Sequence, residues 1–426
     1  MASGTASEDV PTHNGINDHI KVEENAPTSP AAPGPPPDGG TVAWLQVAAG
    51  FVLFFNTWGM INTFGVFQTY YESGELFTAS SSDISWIGAI QSFLLQLTGL
   101  IAGPLYDRGH LRLLLLTGSF MVVFGLMMLS LCKEFWQVLL SQAFCIGIGG
   151  GLLFTPTVSL LPTYFSSRMG LAVGIASSGS SLGGIIYPIV LYRLLFNNHI
   201  GFPWAVRTIG FIALATFILP VLVMRVRVRA PQPRAVIDWS AFTDGPYIVF
   251  SLGLLILFIG NAILIFYISF YAQNKGFTDT ELAFYLVAVF NAASILGRIA
   301  PNALSDRIGV FNTIAPVSLL LGVTVFCLLG VVNKAGIVVE TIVTGFFSVC
   351  FRMLTENKGM IGTRVGQGFA IGGFGLLIGG PSGGAILGSD HDWLAIWLYG
   401  GVAGCVAGLV MMVVRVMKAG LKPVKV

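Results

Sequence analysis

Runs of predominantly apolar residues recur along this chain, and most are long enough to cross a bilayer as a helix. A bilayer core of about 30 Å is spanned by roughly 20 helical residues. Charged residues make up 10% of the chain, against about a quarter in soluble domains, so most of its surface requires an apolar solvent. The sequence therefore predicts an all-α membrane protein with 12 transmembrane helices, whose runs begin near Ala43, Ile84, Leu111, Trp136, Arg168, Trp204, Gly245, Glu281, Phe311, Ile337, Gly362 and Trp393.

Two polar stretches divide the chain. Residues 1–37 are acidic and rich in proline and contain no apolar run of signal-peptide length, so we predict a disordered tail. A second polar stretch, 225–243, contains Pro231 and Pro233 and separates six apolar runs from six. We therefore predict a six-helix half over 38–224, a linker over 225–243, a second six-helix half over 244–418, and a short tail over 419–426.

The distribution of basic residues predicts the orientation. When the N-terminus is placed in the cytoplasm, most of the 22 lysine and arginine residues fall on the cytoplasmic side, as the positive-inside rule requires. We expect a multi-pass protein of the plasma membrane with both termini and the linker in the cytoplasm. The tenth run is the exception in length. It extends only from Ile337 to Phe351 and contains Glu340; if it did not span, the last two helices would invert, and the charge bias favours a short tenth helix instead.

The same motif follows the second helix of each half. The first copy has Gly103, Asp107, Arg108 and Gly109, followed by Arg112, and the second has Asp306 and Arg307. These loops resemble the G-x-x-x-D-R-x-G motif of the major facilitator superfamily, which has two halves of six helices. The resemblance implies a gate that holds the cytoplasmic side closed; a plain cytoplasmic turn carrying a positive-inside arginine is the alternative for each copy.

A narrower resemblance begins just before the first helix. Asp38, Gly39, Gly40 and Trp44 are similar to the D-G-G-x-x-x-W opening of the monocarboxylate transporter family. The stretch from Tyr164 to Gly174 resembles the entry to that family's fifth helix, and the glycine-rich eleventh helix resembles the fungal branch. The resemblance covers nearly all of the chain after residue 38. It implies a carrier of small organic acids.

Arg298 is the main candidate for contact with a substrate. An arginine within a membrane helix is costly and normally faces a cavity or a partner, and its fork of donors suits a carboxylate. The resemblance implies the same role, while pairing with a gate carboxylate is the alternative. Asn62 and Asn291 are further polar candidates at membrane depth, and Tyr187 is an aromatic candidate that could line an apolar cavity.

The chain departs from the monocarboxylate family at two charged positions. The first helix has no lysine, and Ser294 stands where relatives carry an aspartate four residues before the arginine. Proton coupling is therefore open. Glu340 is a candidate proton carrier or a solvated helix cap, and the shortened tenth helix alters a wall of the central pathway. These departures favour a fungal metabolite carrier over a lactate carrier.

The leading hypothesis is a secondary active transporter that moves a small, anionic, monocarboxylate-like metabolite by a rocker-switch mechanism and exports a fungal secondary product. A membrane sensor that keeps the fold without transporting is the alternative. The histidines and the five cysteines have no metal-ligand spacing, and the sequence has neither a nucleotide loop nor a serine elbow. We therefore predict no catalytic site, no metal, no cofactor and no nucleic-acid partner. Protons are the candidate coupling ion.

Overall fold

The computed structural model describes residues 35–197, 200–228, 233–348, 361–388, 391–420 and 424. Every regular element in these ranges is helical, which confirms the predicted all-α class. We number the principal helices α1 to α12 in chain order. Their bounds are Thr41–Glu72, Ser81–Asp107, Leu111–Leu129, Phe135–Tyr164, Met169–Tyr192, Phe202–Val223, Gly245–Asn274, Thr280–Ile308, Phe311–Cys327, Lys334–Phe347, Ile361–Leu387 and Trp393–Ala419.

The helices begin within a few residues of the predicted starts, and local side chains cap the first turns of several of them. Ser80, Asp244, Asp279 and Asp392 each accept a hydrogen bond from the backbone N–H three residues further on. Such caps satisfy donors that the first turn of a helix leaves without partners. At these four helices the residue before the first turn therefore helps to fix the start.

Eleven described helices are long and apolar enough to cross a membrane. The remaining one is α10, whose 14 residues reach about 21 Å at the usual helical rise. The prediction of a short tenth helix is therefore confirmed, although the predicted end at Phe351 lies outside the described residues. The division into halves at 225–243 stays a prediction.

Helices from the two predicted halves meet through glycine. A Cβ at Gly174 of α5 would lie 2.8 Å from the carbonyl oxygen of Arg298 on α8, and one at Gly366 of α11 would lie 3.1 Å from Leu100 of α2. Small residues allow membrane helices to approach this closely. The α5–α8 and α2–α11 pairs therefore enclose the space between the halves.

Candidate functional site

A small cavity lies at the middle of the bundle. Its volume is about 30 Å³, and α1, α2, α7, α8 and α11 contribute its walls. The walls are mainly aromatic and aliphatic, with a few polar groups among them. The lining residues are Trp58, Ile61, Asn62, Ser92, Phe258, Asn261, Ala262, Ile265, Phe266, Phe290, Arg298 and Leu376. This mixture of apolar walls and few polar groups is typical of a ligand site.

Arg298 is buried at this cavity, with 6% of its surface exposed. Its Nε donates to the Ser294 hydroxyl at 3.2 Å, and that hydroxyl is also hydrogen-bonded to Ser181 of α5 at 3.1 Å. Ser294 lies one turn before Arg298 on α8 and can orient the guanidinium. The guanidinium therefore brings a planar set of hydrogen-bond donors to the cavity wall.

Two asparagines link the halves beside the same cavity. The Asn62 amide donates to the Asn291 side-chain oxygen at 3.0 Å, and the Asn291 amide in turn donates to the Val287 carbonyl at 2.8 Å. A Cβ at Gly184 would lie 2.6 Å from the Asn291 side chain, so glycine makes room for this contact. The structure therefore brings Asn62 and Arg298 to one cavity and places Asn291 immediately behind Asn62.

Tyr187 lies elsewhere. Its hydroxyl donates to the Asn56 side-chain oxygen at 2.5 Å, and the Asn56 amide donates to Thr216 at 2.9 Å. This network joins α1, α5 and α6 within the first half, and Tyr187 is absent from the residues that line the central cavity. Its side chain is fully buried, so its position favours a role in packing the first half.

A second, larger cleft of about 370 Å³ opens at the end of the bundle where α1 finishes. It includes Gln68, Glu72, Gln273 and His391, and we call it the vestibule. Ile265 and Phe266 line both the vestibule and the central cavity. The Phe266 ring packs against Phe64 at 5.6 Å between centroids. This aromatic layer separates the two spaces.

The opposite end of the bundle carries both copies of the D-R motif, and we call it the motif end. Here Asp107 accepts two hydrogen bonds of 2.6 Å from the Arg234 guanidinium and one of 3.0 Å from the Arg234 backbone N–H. A Cβ at Gly103 would lie 3.3 Å from the Arg234 side chain, so glycine leaves room for this arginine. Arg112 donates to the Val221 carbonyl at 2.6 Å. The first copy therefore fastens the linker to α2.

The second copy binds the opposite half directly. Asp306 accepts hydrogen bonds from the backbone N–H groups of Gly170 at 2.8 Å and Leu171 at 3.0 Å. These donors lie in the first turn of α5, where the helix dipole favours a carboxylate. Arg108, Gly109 and Arg307 are exposed at the same end. Asp306 thus ties α8 to α5 across the two halves.

The linker is fastened to the second half as well. Arg364 of α11 donates to Asp238 at 2.9 Å and to Asp244 at 2.6 Å. The Asp238 carboxylate also accepts from the Ser240 hydroxyl, and this bond, followed by the hydrogen bond from Arg364, holds its pKa below the usual range. Because Arg234 binds Asp107, the segment from Arg234 to Asp244 bridges α2 and α11 at the motif end.

The D-G-G segment anchors the start of α1. The Asp38 carboxylate accepts hydrogen bonds from the backbone N–H groups of Ser166 at 2.5 Å and Ser167 at 2.9 Å, which lower its pKa. Gly40 follows Gly39 with a φ of +88°, a conformation that favours glycine. Trp44 then packs edge-on against Phe165 at 5.2 Å. Asp38 and Asp306 therefore hold the same α4–α5 turn, from the first and the second half respectively.

Sequence reasoning missed most of the cavity wall. Trp58, Phe266 and Phe290 carry no motif, and aromatic residues are frequent throughout the chain. Their common signal is a position near the middle of a membrane helix, which many lipid-facing residues share. Within the described ranges, no group of histidine, cysteine and acidic residues could hold a metal ion.

Comparison with known proteins agrees with this architecture. Residues 47–358 match the family model described as Major Facilitator Superfamily. The chain is 56% identical over 406 residues to the MFS-type transporter dbaD of Emericella nidulans, covering 92% of this chain and 91% of dbaD. It is 37% identical over 384 residues to the aspyridones efflux protein apdF of the same organism, covering 86% of this chain and 78% of apdF.

A solved structure shares the fold. The crystal structure of the major facilitator transporter FucP in the outward conformation matches with a TM-score of 0.64 at 15% identity, covering 88% of this chain and 99% of FucP. That likeness bears on the fold alone, and the family model and the relatives carry the assignment. From its sequence, its helices and these relatives, the chain belongs to the major facilitator superfamily and is a multi-pass membrane transporter.

Proposed function

We propose that this transporter exports a small organic acid with an apolar or aromatic body, a monocarboxylate-like secondary metabolite. The observation that carries the proposal is the central cavity. It combines the Arg298 guanidinium with the rings of Trp58, Phe258, Phe266 and Phe290. Arginine recognises a carboxylate through its planar fork, and aromatic walls accommodate a flat apolar body.

The chemistry of the site fits the departures from the monocarboxylate family. With Asn62 in the first helix and Ser294 before Arg298, the only charged residue lining the described cavity is the arginine. Membership of the monocarboxylate branch is part of this proposal, and so is the role of protons as coupling ion.

Export is supported by the names of relatives, since apdF is described as an efflux protein. We place the motif end and both termini in the cytoplasm of a cell bounded by the plasma membrane, following the distribution of basic residues. With this orientation, the conformation of the structure faces outward. Its motif end is closed by Asp306 and the linker, while the vestibule lies open on the external side.

At about 30 Å³ the central cavity is too small for an organic acid. Loading from the cytoplasm therefore requires the motif end to open, and release requires the Phe64–Phe266 layer to part. In this scheme the two halves rock about the site, and access alternates between the two ends. The glycine contacts between α5 and α8 provide surfaces that can slide during this motion.

Export from a fungal or yeast host tests the proposal. Cells with and without the protein are supplied with a panel of aromatic and aliphatic acids, and medium and cell contents are measured by mass spectrometry. We expect at least one acid to leave faster when the protein is present. If the protein is present in the plasma membrane and no acid leaves the cells faster, the proposed substrate class is refuted.

Two variants test the site itself. Arg298→Lys keeps the charge but loses the planar fork, and we expect export of the acid to fall at least about tenfold, because hydrogen bonds to charged groups are worth about 1.5–3 kcal/mol. Arg193→Lys is the matched control, since Arg193 is exposed and lies 3.8 Å from Glu281 outside the cavity. Normal export by Arg298→Lys would show that the fork does not bind the acid.

A further inference from the structure

Glu340 is a buried acid that lies apart from the central cavity. It belongs to α10, and 7% of its surface is exposed. Its Oε1 accepts a hydrogen bond from the Thr344 hydroxyl, whereas Oε2 has no hydrogen-bond partner among the described residues. The cap of α10 is Asn333, which accepts from the Gly336 N–H at 2.8 Å, so the sequence alternative of a solvated cap at Glu340 is wrong.

A groove leads to this acid from the vestibule end of the bundle. It has a volume of about 640 Å³ and runs between the end of α9 and the first turns of α10. Its polar groups include Thr324 and Asn333, and its walls include Val331, Val339 and Val343. Glu340 lies six residues after the start of α10, or about 9 Å by helical rise. The groove therefore connects the Asn333 end of α10 to Glu340.

The surroundings of Glu340 favour a neutral acid. An ionised carboxylate in an apolar setting is costly unless it is paired. Among the groove-lining residues that the structure describes, the other titratable side chain is Cys327 of α9. Tyr271 faces Glu340 from α7, and its hydroxyl donates to the Leu328 carbonyl at 3.1 Å. Lys334, the basic residue at the start of α10, is exposed to the outside of the bundle. Among the described residues that line the groove, none belongs to α8.

A packed contact joins this acid to the substrate cavity. The partner of Glu340, Thr344, precedes Gly345, whose Cα sits against the backbone of Phe290 on α8 so tightly that a Cβ would overlap it. Phe290 lines the central cavity, and Arg298 lies two turns further along the same helix. A change of charge at Glu340 therefore bears on the α8–α10 contact that shapes one wall of the cavity.

We propose that Glu340 is the proton-binding site through which inward movement of a proton is coupled to export of the acid. A proton passes from water in the groove to Oε2 in the outward-facing state and leaves to cytoplasmic water after the halves have rocked. No covalent bond other than the O–H bond forms or breaks. The coupling rests on the proposed export function, while protonation of Glu340 does not.

Infrared difference spectroscopy of the full chain in lipid nanodiscs tests the protonation directly. The pH is stepped from about 8 to about 5, a range that brackets a buried carboxyl. We expect a band of a protonated carboxyl that is lost in Glu340→Gln, remains at a displaced frequency in Glu340→Asp, and is unchanged in Glu281→Gln. Glu281 is the matched control because it is an exposed acid on α8.

Persistence of the wild-type band in a folded Glu340→Gln protein would overturn the assignment. If Glu340→Gln does not elute as a single species, the frequency displacement in Glu340→Asp decides instead, and an unchanged frequency refutes the proposal.

The coupling is then measured with the acid identified by the export screen. Acidifying the outside should accelerate export by wild type and Glu281→Gln but not by Glu340→Gln; equal acceleration in all three refutes coupling through Glu340. If the screen finds no exported acid, the proposed function is refuted, whereas the infrared result on Glu340 still stands.

Discussion

The Asp306–α5 contact should control how often the motif end opens. Asp306 reaches across the halves and accepts hydrogen bonds of 2.8 and 3.0 Å from Gly170 and Leu171. In Asp306→Asn, an amide NH₂ faces one of these N–H groups and the negative charge at the helix start is lost. We expect the contact to break when the motif end opens, so its loss should shift the balance from closed towards open states.

The size of the shift follows from the bonds involved. Loss of a capping side chain costs about 1 kcal/mol, and loss of the charge near a helix N-terminus costs up to about 1 kcal/mol more. A total of about 2 kcal/mol multiplies the ratio of open to closed molecules roughly 30-fold, since about 1.4 kcal/mol corresponds to a factor of ten. A population that is a few per cent open would become about half open.

Spin-label distance measurements detect this change. Labels at His110 and Ile308, exposed residues at the motif end of the first and second halves, are introduced after the native cysteines are replaced. We expect a longer distance to gain population in Asp306→Asn. Asp38→Asn is the matched control, because Asp38 holds the same α4–α5 turn from within its own half. An unchanged distance distribution in Asp306→Asn, or an equal change in Asp38→Asn, would show that the Asp306 contact does not hold the motif end closed.

The linker supplies two further predictions. Arg364→Gln leaves Asp238 and Asp244 without their cation, and we expect the thermal unfolding temperature to fall by the equivalent of about 2–3 kcal/mol of stability. Arg193→Gln is the control and should have almost no effect, because the side chains of Arg193 and Glu281 are each 53% exposed. Equal falls in the two variants would show that the Arg364 ion pairs stabilise the fold no more than an exposed pair does. Because the pKa of Asp238 is lowered in the folded protein, its contribution to stability is present above its unfolded pKa and is lost as the pH falls through the folded value. The loss of thermal stability below about pH 4 should therefore be smaller in Asp238→Asn than in wild type, and identical acid profiles would contradict this.

Much of the fold could be predicted because it depends on local sequence. Apolar runs define membrane helices wherever they occur, since the bilayer leaves the backbone no other partners. Even the weak tenth helix was visible, because Ile337 lies only 15 residues before Arg352. The two D-R motifs likewise pointed to one end of the bundle, since each follows the second helix of its half.

The candidate site could be predicted only in part. Arg298 stood out because a charge in a membrane helix is rare, and the structure places it at the central cavity. Tyr187 was selected as an aromatic residue that could line a cavity, and the structure places it in a network with Asn56 and Thr216 within the first half. The aromatic walls gave no local signal that separates cavity from lipid.

The helical membrane class, the approximate helix bounds, the repeated motif and the arginine within α8 could all be read from the sequence, because each depends on residues that are neighbours in the chain. Which groups meet depends on the folded arrangement of the helices. Asn62 and Asn291 are 229 positions apart, and Asp107 and its partner Arg234 are 127 apart. Such contacts arise from how helices pack, and packing depends on shape complementarity along whole helix faces rather than on any local pattern. For the same reason, the sequence left Glu340 open between a proton carrier and a helix cap, and the proposed role rests on its place between a groove and α8.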